Sequence, residues 1–250
     1  MKISIITVCY NSQSTILDTI KSVFSQTHSD VEYIIIDGGS SDDTLKIISN
    51  FKNRIAKIVS EPDNGIYSAM NKGLALVTGD IVGILNSDDF YANNRILSKV
   101  AETFEREQVD CVFGDLVYVD AVHTERIVRY WKSSPYKHGL FQRGWHPPHP
   151  TFFVKKELYL KFGNFDESFM IASDIEIMLR FIERYNVRPF YISKILVKMR
   201  CGGTSNQSLW NIFKANIECY KAYRINGVPQ PLTALFLKLL SRPSQYFKRL

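Results

Sequence analysis

Long apolar runs are missing from this 250-residue chain. None approaches the roughly 18 residues that a membrane-spanning helix needs. The apolar stretch near the start, Ile3 to Val8, is shorter than a signal-peptide core, and no small-residue cleavage site follows it. Cysteine is scarce: Cys9, Cys111, Cys201 and Cys219 are scattered, with no Cys-x-x-Cys pair. That pattern fits a reduced cytosolic chain and argues against structural zinc. No Gly-x-Gly-x-x-Gly follows the first apolar run, which disfavours a dinucleotide cofactor, and a Walker lysine loop is absent too. The body also lacks excess charge. From Lys214 onward there are seven basic residues and one acid, Glu218, so the tail holds the whole net charge of +6. A basic tail suits an anionic partner, either a membrane surface or nucleic acid.

What is present is a full core, 45% apolar, arranged in alternating patterns. Ile3–Tyr10 reads as a strand, followed by helical spacing at Ile16, Leu17, Ile20, Val23 and Phe24. Val31–Ile36 is a second strand. It runs into Asp37-Gly38-Gly39-Ser40, where glycines permit a tight turn and close approach to backbone. A helix carrying Leu45 and Ile48, a strand at Ile55–Ser60 and a helix with Ile66, Met70 and Leu74 come next. The order β-α-β-α-β-α-β predicts an α/β fold with a parallel sheet and right-handed crossovers.

The fourth strand carries the strongest chemical signal. Ile81–Leu85 runs straight into Asn86-Ser87-Asp88-Asp89. In open α/β sheets, ligands sit beyond the carboxyl ends of the strands. Carboxylates there suit a hard divalent cation whose shell is completed by water and phosphate. Asn, Ser and Asp also make ordinary turns. Thr7/Tyr10/Asn11 and Asp37 end two other strands on the same predicted edge.

Taken in order, Ser-Ile-Ile-Thr-Val-Cys-Tyr-Asn, Ile-Ile-Ile-Asp-Gly-Gly-Ser-Ser-Asp-Asp-Thr, Asn-Lys-Gly-Leu-Ala-Leu-Val-Thr-Gly-Asp and Leu-Asn-Ser-Asp-Asp resemble the family 2 glycosyltransferases of GT-A fold, most of all bacterial members that build O-antigen, capsule or exopolysaccharide. The resemblance covers about residues 1–205, with a nucleotide-sugar half at 1–110, an acceptor half at 111–205 and a basic amphipathic tail at 206–250. It implies an inverting hexosyltransferase using a UDP-sugar and Mn²⁺ or Mg²⁺. Thr7 and Tyr10 would line the base and ribose pocket, and Asp37 would accept from the uracil imide N–H. Asn11, Asn64, Ser87 and Asn86 would face the donor, and Asp88 with Asp89 would hold the metal. Asn86 stands where an Asp is commoner in the family, and Met70 where many members carry Arg; Lys72 is the expected substitute for that charge.

The second half is expected to bind the acceptor. Val109–Phe113 reads as a strand ending at Gly114-Asp115, with further strands at Leu116–Val119, Ile127–Tyr130 and Val187–Val197. By the resemblance, Asp174 is the catalytic base, with Ser173 replacing the first acid of the usual pair, while Arg180 supports the loop before it. Taken as a helix N-cap or first-turn carboxylate, Asp174 needs no chemistry. Trp145, His146 and His149 in the proline-rich loop, and Arg200 and Ser205 in a glycine-hinged segment, are acceptor-side candidates.

The implied partners are a nucleotide-sugar donor and a glycan or polyprenyl-diphosphate-linked acceptor. No nucleic acid is implied, and oligomerisation is compatible with the reading. The expected location is cytoplasmic, peripheral on the inner membrane. There the segment Leu232–Leu240 reads either as an interfacial helix or as one docked on the body. Two rivals remain at this point: a sugar-nucleotide nucleotidyltransferase, and a non-catalytic carbohydrate- or anion-binding module.

Overall fold

The computed structural model describes residues 1–202 and 209–241. Four strands come first: β1 (Ile3–Cys9), β2 (Val31–Asp37), β3 (Lys57–Ser60) and β4 (Ile81–Ile84). They pair in parallel, with β1 between β2 and β4 and with β3 outside β2. β1 is buried along its whole length. Alternation sends Ile6 and Val8 into one core cluster and Ile3, Ile5 and Cys9 into the other, so both sheet faces are covered. The crossovers are α1 (Ile16–Phe24), α2 (Thr44–Ser49) and α3 (Ile66–Leu76). Ile16, Thr19, Ile20 and Val23 line one side of α1, as the spacing predicts.

The other half mixes strand directions. β5 (Asp89–Tyr91), α4 (Ile96–Glu107), β6 (Cys111–Val119) and β7 (Ile127–Trp131) lead to β8 (Phe153–Lys155), α5 (Lys156–Phe162), α6 (Ser173–Met178) and β9 (Pro189–Arg200). β8 joins the halves, antiparallel to both β4 and β6. Among the described residues one mixed sheet results, in the order β3-β2-β1-β4-β8-β6-β9-β5, with β7 on β6. α4 carries Ile96, Leu97, Val100, Ala101 and Phe104 on its buried side, a helical period that the sequence reading passes over.

The expected strand tip at Asp115 is corrected here. β6 is one strand with a register shift around that residue, and Asp115 is buried inside it. Its carboxylate accepts from Tyr130 Oη at 2.6 Å, Tyr191 Oη at 2.7 Å and the Ser133 amide at 2.7 Å. A bulge turned a predicted edge group into an internal brace.

α7 (Leu209–Ile225) and α8 (Pro231–Ser241) close the described chain. The expected boundary after residue 205 lies outside the described residues. The helices themselves bury Cys219, Ala222, Tyr223, Val228 and Ala234 in the same cluster as β1 and α3. α8 seats directly on Gly144, whose φ is +75°; a Cβ there would lie 2.2 Å from the Lys238 backbone nitrogen. Glu218 of α7 reaches the body and accepts from the backbone amides of Met170 (2.9 Å), Ile171 (2.8 Å) and Ala172 (2.9 Å).

Two outcomes are expected. Gln at 218 keeps the shape but loses the charge that three amides share, so Glu218→Gln should lower unfolding free energy by about 1–3 kcal/mol, read from urea midpoints. Glu32 should carry part of the acid sensitivity. Burial pushes its carboxyl up, but donors from Ser4, Thr78 and Lys2 outweigh this and hold it down at about 2, against an ordinary value of 4.5. A depressed carboxyl stabilises the fold above its unfolded pKa and loses that contribution as pH falls through the folded one. Glu32→Gln should therefore flatten the fall in stability between pH 4.5 and 2, measured by urea unfolding across that range.

Candidate active site

The carboxyl ends of β1 and β4 open into a cavity of about 770 Å³. Tyr10, Asn11, Asn86, Ser87 and Asp88 line it from the first half, and His149, Asp174 and Arg200 from the second. Asn11 is held in the left-handed region (φ 47°). Its Oδ1 accepts the Ser41 amide at 2.9 Å, which ties the β1 turn to the β2 turn. Ser87 Oγ lies 2.8 Å from Ser12 Oγ, and its carbonyl accepts from Thr19 Oγ1 at 2.9 Å. The Asn86–Asp88 loop is thereby fastened to α1.

Burial raises the Asp88 carboxyl above its ordinary value, while the charges of Arg200 and His149 oppose that rise. Arg200 is itself buried. It donates to the Asp88 carbonyl at 2.9 Å and pairs with Asp18, so it is a strut under the loop as well as part of the cavity wall. The Asn86 Oδ1 atom is enclosed and has no hydrogen-bond partner among the described residues. A carboxylate and an unpartnered amide oxygen are hard donors on one wall, which fits a divalent cation. Among the described residues no three His, Cys, Asp or Glu side chains converge as a metal site. Asp88 and Asn86 would thus hold the ion with waters and phosphate oxygens completing its shell.

Asp174, which also lines the cavity, sits in the first turn of α6. His149 Nδ1 lies 3.0 Å from its Oδ2. An ionised carboxylate only accepts, so the proton of this contact sits on Nδ1. Tyr67 Oη shares its hydrogen between Asp174 Oδ1 (3.2 Å) and the Ile171 carbonyl (2.7 Å). The loop before Asp174 is held by the Glu218 carboxylate described above. Arg180 braces the preceding turn as expected, donating to the carbonyls of Phe162 (2.7 Å) and Asn164 (2.6 Å) and pairing with buried Glu176 at 2.8 Å.

Several expected site residues lie elsewhere. Thr7 is fully buried and accepts from Tyr33 Oη at 3.0 Å, because alternation along β1 points it into the core. Asp37 is also fully buried. Its carboxylate accepts from the Gly39 amide (3.1 Å), the Ser40 amide (3.0 Å), Ser60 Oγ (2.7 Å) and Ser40 Oγ, so it builds the turn and does not border the cavity. Asp89 begins β5 on the side opposite Asp88 and is enclosed. Burial and the neighbouring Asp88 push its carboxyl well up while Arg200 opposes them, and it is not among the residues lining the cavity. Lys72 pairs with Glu61 at 2.9 Å and donates to the Pro62 carbonyl at 3.0 Å, away from the cavity. Asn64 is exposed and outside the lining. Trp145 packs against Phe113, Phe141 and Tyr136 in the core. His146 sits edge-on to Trp131 at 5.0 Å, with Nδ1 3.2 Å from the Pro147 carbonyl. Ser205 lies outside the described residues.

Some lining residues escape the sequence reading. Tyr67 belongs to the buried stripe of α3, where a tyrosine looks like core. Tyr118 and Arg129 reach the cavity from β6 and β7, the Arg129 guanidinium 4.6 Å over the Tyr118 ring. Their strands were legible; the facing of the β7 hairpin was not. Asp63, beside the expected donor residue Asn64, is not picked out by the sequence reading.

With this geometry in view, the comparisons with known proteins agree. The chain is 32% identical over 183 residues to an uncharacterized glycosyltransferase of Mycobacterium tuberculosis (strain H37Rv), covering 71% of this chain and 68% of that one. It is 27% identical over 207 residues to a PGL/p-HBAD biosynthesis glycosyltransferase of Mycobacterium bovis, covering 81% and 78%. Among solved structures, residues 1–349 of Staphylococcus aureus TarS in complex with UDP-GlcNAc superpose with a TM-score of 0.68 at 19% identity, over 91% of this chain and 66% of that one. A mannosyltransferase of Pyrobaculum calidifontis in complex with GDP-Man and Mn²⁺ gives 0.63 at 14% identity, over 100% and 76%. These structural likenesses show the GT-A architecture. The description "Glycosyl transferase family 2" matches residues 4–163, and the chain belongs to that family and is a glycosyltransferase.

Proposed function

We propose that this enzyme transfers a hexose or N-acetylhexosamine from a UDP-sugar to a glycan acceptor, with inversion, in the synthesis of a bacterial surface polysaccharide. The observation that carries this reading is one cavity lined both by the acidic loop after β4 and by a braced carboxylate, Asp174. That TarS is solved with UDP-GlcNAc supports the donor class.

The chain's own groups divide the work. Asp174 takes the proton of the acceptor hydroxyl as the new bond forms. His149 and Tyr67 fix the carboxylate's orientation, and about four lone-pair positions leave room for the incoming hydroxyl. When bound, Mn²⁺ or Mg²⁺ supplies charge neutralisation for the departing diphosphate. Asp88 and Asn86 hold that region, and Arg129 adds a cation to the cavity wall. Inversion follows from this allocation. Among the described residues the lining carboxylates are Asp63, Asp88 and Asp174; with Asp88 given to the metal and Asp174 to the acceptor proton, the reading leaves the displacement to the acceptor itself.

The acceptor we favour is carried on polyprenyl diphosphate at the cytoplasmic face of the inner membrane. No helix among the described residues is long and apolar enough to cross a membrane. The outer sides of α7 and α8 nevertheless expose Trp210, Phe213, Ile217, Leu232, Phe236 and Leu240, with Lys214, Lys221 and Arg224 nearby. An apolar surface with basic neighbours suits an anionic leaflet.

Asp174→Asn is expected to bind UDP as the wild type does while turnover falls about 10²- to 10⁴-fold. Asp88→Ala is expected to lose turnover and also the extra thermal shift that Mn²⁺ gives with UDP. Wild-type turnover from Asp174→Asn would refute the base assignment. In vesicle co-sedimentation, the protein should pellet with anionic vesicles and not with neutral ones, and Trp210→Ser/Phe213→Ser should stay in the supernatant. Equal pelleting by the double variant would remove the membrane reading.

A further inference from the structure

The buried state of Asp37 leaves the uracil edge without its expected acceptor, and another carboxylate stands in the right place. Asp63 lines the cavity from the loop before α3. A Cβ built on Gly38 would lie 2.7 Å from Asp63 Oδ2 and 3.5 Å from Cδ2 of the Tyr10 ring. The absent side chain at 38 is therefore the space the Asp63 carboxylate occupies, next to the aromatic face at the end of β1. Tyr10, which lines the same cavity, is 65% exposed. Asp63 Oδ1 accepts the Gly65 amide at 2.9 Å, which fixes the carboxylate, while Oδ2 accepts nothing from a described residue.

We infer that Asp63 is the nucleobase-reading residue of this enzyme, with Oδ2 accepting the imide N–H of a uracil or thymine ring stacked on Tyr10. The inference rests on the uridine-diphosphate reading above and names its specificity determinant. The chemistry discriminates. A pyrimidine imide N–H is a donor that a carboxylate accepts, whereas cytosine presents a lone pair at the same ring position and is repelled. A flat, exposed aromatic supplies stacking for any base and cannot choose between them. Asp37 has no comparable part, since its oxygens are consumed by the turn that holds Gly38 and Gly39 in place.

The test is titration calorimetry of the full chain with UDP, dTDP, CDP and GDP in Mn²⁺ buffer. Wild type should bind UDP and dTDP about 10- to 100-fold more tightly than CDP, the worth of one hydrogen bond to a charged group. Asp63→Asn keeps an oxygen for the Gly65 amide and adds a donor for cytosine, so the UDP-to-CDP preference should collapse to within about threefold. Gly38→Ala should also weaken UDP selectively, because its new methyl displaces the carboxylate without altering charge. A wild-type preference retained in both variants, with unchanged circular dichroism, overturns the Asp63 assignment and leaves the donor class standing. A wild type that binds GDP more tightly than UDP, or neither, overturns the donor class itself and the assignment with it.

Discussion

Everything at the cavity depends on β1 pairing in parallel with β2 on one side and β4 on the other. Parallel neighbours end on the same edge, so the turns after Cys9, Asp37 and Ile84 meet without any long-range design. Loop-to-loop bonds then tighten the edge. Asn11 Oδ1 accepts the Ser41 amide, the Ser12 amide donates to Thr44 Oγ1 at 2.7 Å, and the Ser87 hydroxyl meets that of Ser12. The second half meets this edge through β8, which runs antiparallel to β4 and carries the His149 loop just ahead of it. One strand thereby delivers the acceptor wall to the donor wall.

The parts legible in the sequence were those set by local pattern. Buried strands and amphipathic helices follow from period 2 and period 3.6, and β1 to β4 with α1 to α3 emerged in the right order. Asp88 and Asp174, picked out at a strand tip and a helix start, both line the cavity. Facing was harder. Thr7 and Asp89 each miss the cavity by one position, since a one-residue step along a strand flips the side chain to the opposite face. Asp115 needed knowledge of a bulge, and Trp145 of the ring cluster around Phe113 and Phe141. Asp63 could not be found by pattern, because its role depends on a missing side chain 25 positions away at Gly38.

The C-terminal helices show the same limit. The charge run pointed outward, toward an anionic surface. Yet one residue of that run, Lys238, is buried with Nζ 2.9 Å from Cys219 Sγ, and the lone acid of the segment, Glu218, points inward to three amides of the Asp174 loop. α7 is at once a wall of the core and a clamp on the loop before Asp174. Its outer apolar side is a separate surface, so surface binding and catalytic-loop support can be served by opposite faces of one helix.

The acids of this chain sort into two kinds, and the sorting explains why counting carboxylates misleads. Glu32, Asp37, Asp115 and Glu218 spend their lone pairs on backbone amides and hydroxyls within the protein, and the packing of loops relies on them. Asp63, Asp88 and Asp174 keep part of their capacity toward the cavity. A carboxylate saturated by internal donors gains nothing from a ligand and loses much if it is pulled away. One fixed by a single internal bond is oriented and still able to accept. Asp63, held by the Gly65 amide through one oxygen, has that arrangement, and Asp174, held by His149 on one oxygen and by Tyr67 on the other, keeps further lone-pair positions. Pre-orientation with residual accepting capacity is what selecting a base edge or receiving a proton requires, and it separates the working acids from the structural ones even where both end a strand of the same sheet.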